Sequence, residues 1–305
     1  MMSKPKINSG RYKLKRRKLP SVCAAVFASL TLVILGSCAS LPKGAEVNPL
    51  DLLSGGAAFY MRIPKKTDGE LVERILRASA EHISESDAKL ISGRIDTIYA
   101  ALTRTKTSFS VEAAVSGNIP RRTAGALLLK SAQWKIETHI PEKSIRPYIY
   151  YVSSGVSLAF PSPTIVCAAN DVRPMLSAFD AHAYGGSISH NVSDAVFDWL
   201  NVSGSEICFY APNPLSFLTI LTGTNLNLQL NYVKGAMITD SAHEDQYLMS
   251  IEFDFNNKNV VRAGEAMLAL AFGLTNAQTT RNSPTNITVS GIRINKRQLY
   301  KLFVL

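Results

Sequence analysis

The sequence predicts an α+β protein of two similar halves, packed as layered antiparallel sheets with helices. Three observations carry that prediction. Runs such as Phe109, Val111, Ala113 and Val115 alternate apolar and small or polar residues with the period of a half-buried strand. Other stretches place apolar residues on one helical face, as Leu71, Val72, Ile75 and Leu76 do. The second half repeats the order of the first: Phe209-Tyr210 with Pro214 matches Phe59-Tyr60 with Pro64 at a constant offset of 150.

Taken in order, Ala57 to Ile63 reads as a buried strand ended by Pro64, and Asp68 as the cap of a helix through Leu76. A second helical run spans Ser86 to Ile95, followed by strands at Thr97–Thr103 and Ser108–Ser116. Gly117-Asn118-Ile119-Pro120 turns the chain into a helix over Arg121–Ser131. Four strands follow, Trp134–Thr138, Tyr148–Ser153, Val156–Phe160 and Thr164–Ala169, with turns at Ser154-Gly155 and Pro161-Ser162-Pro163. Asp171 is placed to cap a helix through Phe179, and Tyr184–Asn191 reads as a loop.

The second half opens with a strand at Ile207–Ala211 and a helix over Leu215–Leu221. Strands at Leu228–Ile238 and Gln246–Phe255 precede a helix over Val260–Phe272, whose Arg262-Ala263-Gly264 matches Thr123-Ala124-Gly125. A polar loop over Gln278–Thr285 leads to strands at Asn286–Ile294 and Leu299–Leu305. The common order of strand, helix, two strands, helix and strand points to an internal duplication, with repeats over residues 55–183 and 192–305.

The N-terminal stretch has a different character. Eight cations and no acid lie between Lys4 and Lys18, and Ser21 to Ser37 then runs 17 residues without a charge. As a helix that run would extend about 26 Å, short of a comfortable membrane span. It closes on Leu35-Gly36-Ser37-Cys38. In these residues the chain resembles the signal peptides of bacterial lipoproteins, whose lipobox has the form Leu-small-small-Cys. The resemblance covers residues 1 to 38. It implies a signal peptide over 1–37 and cleavage between Ser37 and Cys38. It further implies a diacylglyceryl thioether on the Cys38 sulfur and acylation of its amine. Several acyl chains, at about 0.8 kcal/mol per buried CH2, hold a protein firmly to a bilayer. Residues 38–54, broken by Pro42 and Pro49, read as a tether between lipid and fold.

Composition narrows the function classes. The formal charge of +10 comes from 33 cations and 23 acids, but the signal holds eight of the cations. From Cys38 onward 25 cations face 23 acids, a net +2, which gives no basic surface for nucleic acid. Beyond Cys38 only Cys167 and Cys208 remain, both in apolar strand-like runs, either bridged or as two buried free thiols.

Motifs for catalysis fail on inspection. Ser86-Asp87-Ala88-Lys89 matches S-x-x-K, and Ser116-Gly117-Asn118 resembles a second motif of penicillin-binding enzymes. The third motif should follow both; Lys106-Thr107-Ser108 instead lies between them and lacks its glycine. His182 and His190 flank a Gly185-Gly186 loop with no third metal ligand in view, and His243-Glu244-Asp245 stops short of a zinc motif. No cofactor and no metal is expected, and no catalytic residue is assigned. Aromatic residues are the remaining signal: Tyr148, Tyr150, Tyr151 and Phe160 in the first half, Phe209, Tyr210 and Phe217 in the second, read first as buried packing and otherwise as a groove for an apolar or peptide ligand. The expectation is an envelope lipoprotein with a non-catalytic binding or scaffolding role and an envelope partner. The alternative is a carrier of an apolar or lipid ligand in a groove between the halves, lined by Tyr60 and Tyr210.

Labelling cells with a fatty-acid analogue should mark the wild-type protein and leave Cys38→Ala unmarked; equal labelling of both would refute the lipobox reading.

Overall fold

The computed structural model describes residues 45–79, 84–104, 109–129, 133–186, 189–202, 204–215, 228–272 and 277–297. The lipobox, most of the expected helix over 215–221 and the closing strand over 299–305 lie outside them.

In the first half the strands are β1 (Phe59–Pro64), β2 (Ile95–Arg104), β3 (Phe109–Gly117), β4 (Lys135–His139), β5 (Tyr148–Ser153), β6 (Val156–Ser162) and β7 (Ile165–Ala169). The second half supplies β8 (Ile207–Ala211), β9 (Leu230–Asp240), β10 (His243–Phe255), β11 (Gln278–Arg281) and β12 (Asn286–Asn295). Helices are α1 (Gly69–Ser79), α2 (Glu85–Ser92), α3 (Arg121–Leu129), α4 (Arg173–Tyr184), α5 (Asp194–Leu200) and α6 (Lys258–Phe272). Among the described residues these twelve strands form one sheet, in the order β11-β12-β10-β9-β8-β1-β2-β3-β7-β6-β5-β4.

The α+β class and the antiparallel pairing are as the sequence predicts. The two halves, however, do not stack separate sheets. They meet edge to edge, because β1 pairs with β8, with Tyr60 opposite Tyr210, Met61 opposite Phe209 and Arg62 opposite Cys208. Strand alternation then feeds two cores, one on each face of the sheet. Met61, Ile63, Phe209, Tyr247 and Phe253 point to the face covered by Leu71 and Val72 of α1 and by Val261, Leu268 and Phe272 of α6. Tyr60, Cys167, Cys208 and Tyr210 point to the other, where Met175, Leu176 and Phe179 of α4 and Val196 and Leu200 of α5 lie. Each large aliphatic side chain buried this way contributes roughly 1.5–3 kcal/mol.

Local chemistry fixes the helices. Asp68 Oδ1 accepts the Leu71 N–H at 3.0 Å, capping α1 as expected. Its Oδ2 accepts the hydroxyl of buried Tyr247 on β10 and lies 3.6 Å from Lys296 Nζ, so the cap also fastens α1 to the sheet. The matched glycines share a purpose. A Cβ at Gly125 would overlap the Tyr151 ring end, and one at Gly264 would overlap the Phe255 ring. In each half a helix thus approaches an aromatic strand residue more closely than any side chain allows.

Several expectations need correction. Residues 45–54 are not tether. A 3-10 turn at Pro49–Leu52, capped by Asn48, buries Leu50, Leu52 and Leu53 to 0–2% exposure against α4. The Asp51 carboxylate, itself buried, takes a 2.8 Å contact from His190 Nδ1, and Asn191 Nδ2 donates to the Asp51 carbonyl at 2.5 Å. The Gln278–Thr285 stretch is not wholly loop, since β11 pairs Gln278–Arg281 with β12. Helix α4 begins beyond Val172 and continues to Tyr184; Asp171 braces it by accepting the Arg173 N–H and guanidinium. Helix α5 was not anticipated. Cys167 and Cys208 are free and buried, and burial pushes both thiols above their ordinary pKa.

Truncating Leu50 to Ala should cost about 2–5 kcal/mol in denaturant unfolding, as for other fully buried leucines. A chain starting at Ala45 should unfold cooperatively, whereas one starting at Gly55 should not.

Candidate binding site

An open cavity of about 300 Å³ lies beside the junction of the halves, lined by Ala195, Asp198, Trp199, Tyr210, Tyr232 and Lys234. Three elements build it. On α5, Val196 and Leu200 are buried, which turns Ala195, Asp198 and Trp199 toward the cavity. Asp194 in the first turn suits the positive end of the helix dipole. The Trp199 indole is held by its Nε1–H, which donates to the Phe209 carbonyl at 2.9 Å.

Strands β8 and β9 supply the floor. Their register sets Tyr210 directly opposite Lys234, and the period of two brings Tyr232 to the same face. Tyr210 and Tyr232 stack with centroids 5.2 Å apart and planes at 22°. Lys234 Nζ lies 4.7 Å from the Trp199 ring centroid and 5.5 Å from that of Tyr232. One strand further, Glu252 of β10 sits opposite Lys234 and pairs with its ammonium at 3.2 Å. The same Glu252 Oε1 accepts the Tyr232 hydroxyl at 3.0 Å and the Asn286 amide at 2.8 Å. One carboxylate oxygen therefore orients a phenol, an amide and an ammonium.

The tyrosines here are held protonated. For Tyr232 burial raises the pKa first, and the hydrogen bond to Glu252 adds to it. For Tyr210 burial is again the main cause, with the charges of Asp254 and Glu252 behind it. Such phenols donate hydrogen bonds and do not act as bases near neutral pH. The arrangement offers flat aromatic walls, the Lys234 ammonium paired with Glu252 and the exposed Asp198 carboxylate at the rim. Its volume is at the lower end of small-molecule pockets.

The structure separates the two residues expected to line a groove. Tyr210 reaches the cavity. Tyr60 does not: it is 1% exposed, its hydroxyl donating to the Ser54 carbonyl at 2.6 Å and accepting the Ala57 N–H at 3.1 Å. The other sequence candidates stay apart. Ser86 and Lys89 are exposed on α2, and Lys106-Thr107-Ser108 lies outside the described residues. His190 stacks on Phe197 with centroids 3.5 Å apart, and His182 sits on α4. His243 contacts Asp240 at 3.3 Å in the turn between β9 and β10. Among the described residues no three His, Cys, Asp or Glu side chains gather to hold a metal. Tyr148 and Tyr150 face α4, while Tyr151 packs edge-on against Phe160 on the opposite face. Trp199, Tyr232 and Lys234 were missed. The last two carried a signal, since they are two apart in a run read as strand; Trp199 did not, because α5 is only seven residues long.

A helix-flanked antiparallel sheet, behind an N-terminus that resembles a lipoprotein signal, places the chain among α+β proteins of the envelope-lipoprotein kind. The chain belongs to the family of the outer membrane-associated lipoprotein TP0453, whose model matches residues 44–300. Family membership makes it a lipid-anchored protein of the cell envelope, associated with the outer membrane. Its fold is similar to solved TP0453 structures. Crystal forms III and I each give a TM-score of 0.64 at 19% identity, covering 85% of this chain and 98% of theirs. Crystal form IV gives 0.62 at 18% identity with the same coverage. No curated protein matches the sequence.

Replacing Glu252 by Ala strands three donors and should cost about 1–3 kcal/mol in urea unfolding. Lys234→Ala should cost less. A double-mutant cycle between the two should return a coupling of about 0.2–1 kcal/mol, as for a partly exposed pair.

Proposed function

We propose that this chain is a non-catalytic binding lipoprotein, anchored through Cys38, which holds a small ligand in the Trp199–Tyr210–Tyr232–Lys234 cavity. The observation that carries the reading is the orientation of the cavity groups. Tyr210 belongs to one core and Trp199 and Tyr232 pack against it, yet register and hydrogen bonds bring these rings together with Lys234 to line one open cavity. The absence of catalysis is part of the proposal. It is supported by phenols held protonated and by an ammonium committed to Glu252. A ligand with a planar or ring-shaped body and polar edges suits these walls better than an acyl chain, because charged groups stand at both the floor and the rim. Descent of the two halves from a duplication is also proposed. Its support is the β1–β8 strand pair, which sets Tyr60 opposite Tyr210, the two positions that the offset of 150 equates.

The carrier of an apolar or lipid ligand is the second reading, favoured by the stacked tyrosines. Native mass spectrometry of the protein purified from its membrane, followed by lipid extraction, separates the two. A non-lipid adduct that is lost in Lys234→Ala and in Trp199→Phe, with folding intact, is the expected result. A lipid adduct would favour the carrier. A protein that is empty in the wild type, and that cross-links only to envelope proteins, would replace both with scaffolding.

A further inference from the structure

The point where the folded chain meets its tether is fixed by a backbone hydrogen bond. Ala45 N–H donates to the Ala183 carbonyl at 2.9 Å, in the last turn of α4. Cys38 lies seven residues before Ala45, so an extended chain separates them by about 25 Å at most. Twelve strands at about 4.8 Å spacing make a sheet roughly 53 Å wide. The tether is thus shorter than the sheet, and a lipidated Cys38 brings the surface around Ala45 close to the bilayer.

That surface has an unusual composition. The segment joining β4 to β5 runs along α4 toward the same end of the helix. His139 contacts Ser177 at 2.9 Å, Tyr148 donates to Asp180 at 2.7 Å, and the Arg146 guanidinium lies 3.7 Å from the centroid of Tyr184. Tyr184 adjoins Ala183, the residue that holds Ala45. Between β4 and β5, Ile140 is 57% exposed and Ile145 is 90% exposed, and Tyr184 is itself 38% exposed. Two hydrogen bonds brace the turn: Ser144 N–H donates to the Pro141 carbonyl and Arg146 N–H to Ser144 Oγ. Exposing two isoleucines on a braced turn costs free energy in water that contact with an acyl boundary recovers. Lys143 and Arg146 outnumber the one acid of the turn, Glu142, and suit lipid phosphates. A tyrosine beside them has the amphipathic character of interfacial aromatic residues.

We propose that the 140–147 turn and the C-terminal end of α4 lie against the headgroup layer of the bilayer that holds the Cys38 lipid. Ile145 enters the acyl boundary, and Arg146 and Tyr184 stand among the headgroups. The proposal rests on the lipid-anchor reading, and the experiment separates the two. The full chain, purified with its anchor, carries a single added cysteine, Ile145→Cys or Leu270→Cys, labelled with an environment-sensitive dye. Buried Cys167 and Cys208 stay unlabelled. Leu270 is 84% exposed on α6, the helix covering the opposite face, and serves as the comparison. The protein is then bound to phosphatidylethanolamine–phosphatidylglycerol vesicles with brominated acyl chains.

On floating vesicles the label at 145 should be quenched at least twofold more than the label at 270. Equal quenching, or stronger quenching at 270, on vesicles that carry the protein would overturn the proposed surface and leave the anchor standing. Protein that stays behind when the vesicles float would overturn the anchor reading, and the surface with it.

Discussion

The pairing of β1 with β8 is the constraint on which the rest of the molecule depends. Each of these strands begins its half, and each would be an edge without the other. Joined, they become the fifth and sixth strands of a twelve-stranded sheet, interior on both sides. Their three paired positions place Phe209 on one face and Tyr60 and Tyr210 on the other, so one register sets which residues each core receives. Slipping it by a single residue would exchange the faces and bury the polar set. Arg62 secures the register from the side. Nearly buried in the middle of β1, it donates to the Gly204 carbonyl at 2.8 Å and to the Glu206 carbonyl at 3.2 Å, just ahead of β8.

The cavity inherits its geometry from that register. Once β8 is fixed, Lys234 falls opposite Tyr210 on β9 and Glu252 opposite Lys234 on β10, each through ladder hydrogen bonds rather than side-chain choice. Helix α5 closes the site from above, because the Trp199 indole bonds to the β8 backbone. A rigid sheet therefore presents the aromatic rings already oriented, and a ligand would not need to order them.

Local signals made much of the fold legible. The alternation of Phe109 to Val115, the Asp68 cap and the helix ending at Phe272 all emerge where short-range periodicity and capping chemistry place them. What escaped was non-local or aperiodic. The 3-10 turn at Pro49–Leu52 has too few residues to show a period, and Pro49, with Pro42 before it in the sequence, imitates a linker. Strand β11 is polar and pairs on one side with β12, so its Thr-Thr core carries no hydrophobic pattern. Tyr210 was picked out from the internal match, but Tyr60, its equivalent, is turned into the core by hydrogen bonds to Ser54 and Ala57. The remaining cavity residues come from α5 and β9, and their convergence depends on contacts that single-sequence patterning does not encode. The match of Gly125 with Gly264 was visible, whereas its reason, an aromatic ring beneath each, was not.

The long separations within these contacts also order the events of folding. Asn48 bonds to Asn201 and Asp51 to His190, pairs 153 and 139 residues apart, and β1 waits for a partner some 150 residues downstream. Contacts of such high order form slowly, because a long loop must close before they stabilise anything. A chain that leaves the cytoplasm N-terminus first therefore carries one side of β1 unpaired, and the leucines of residues 50–53 uncovered, until β8 and α4 have followed. During that interval the nascent protein exposes the kind of edge and apolar surface that aggregates. The unfinished chain is thus more exposed to aggregation than the finished protein.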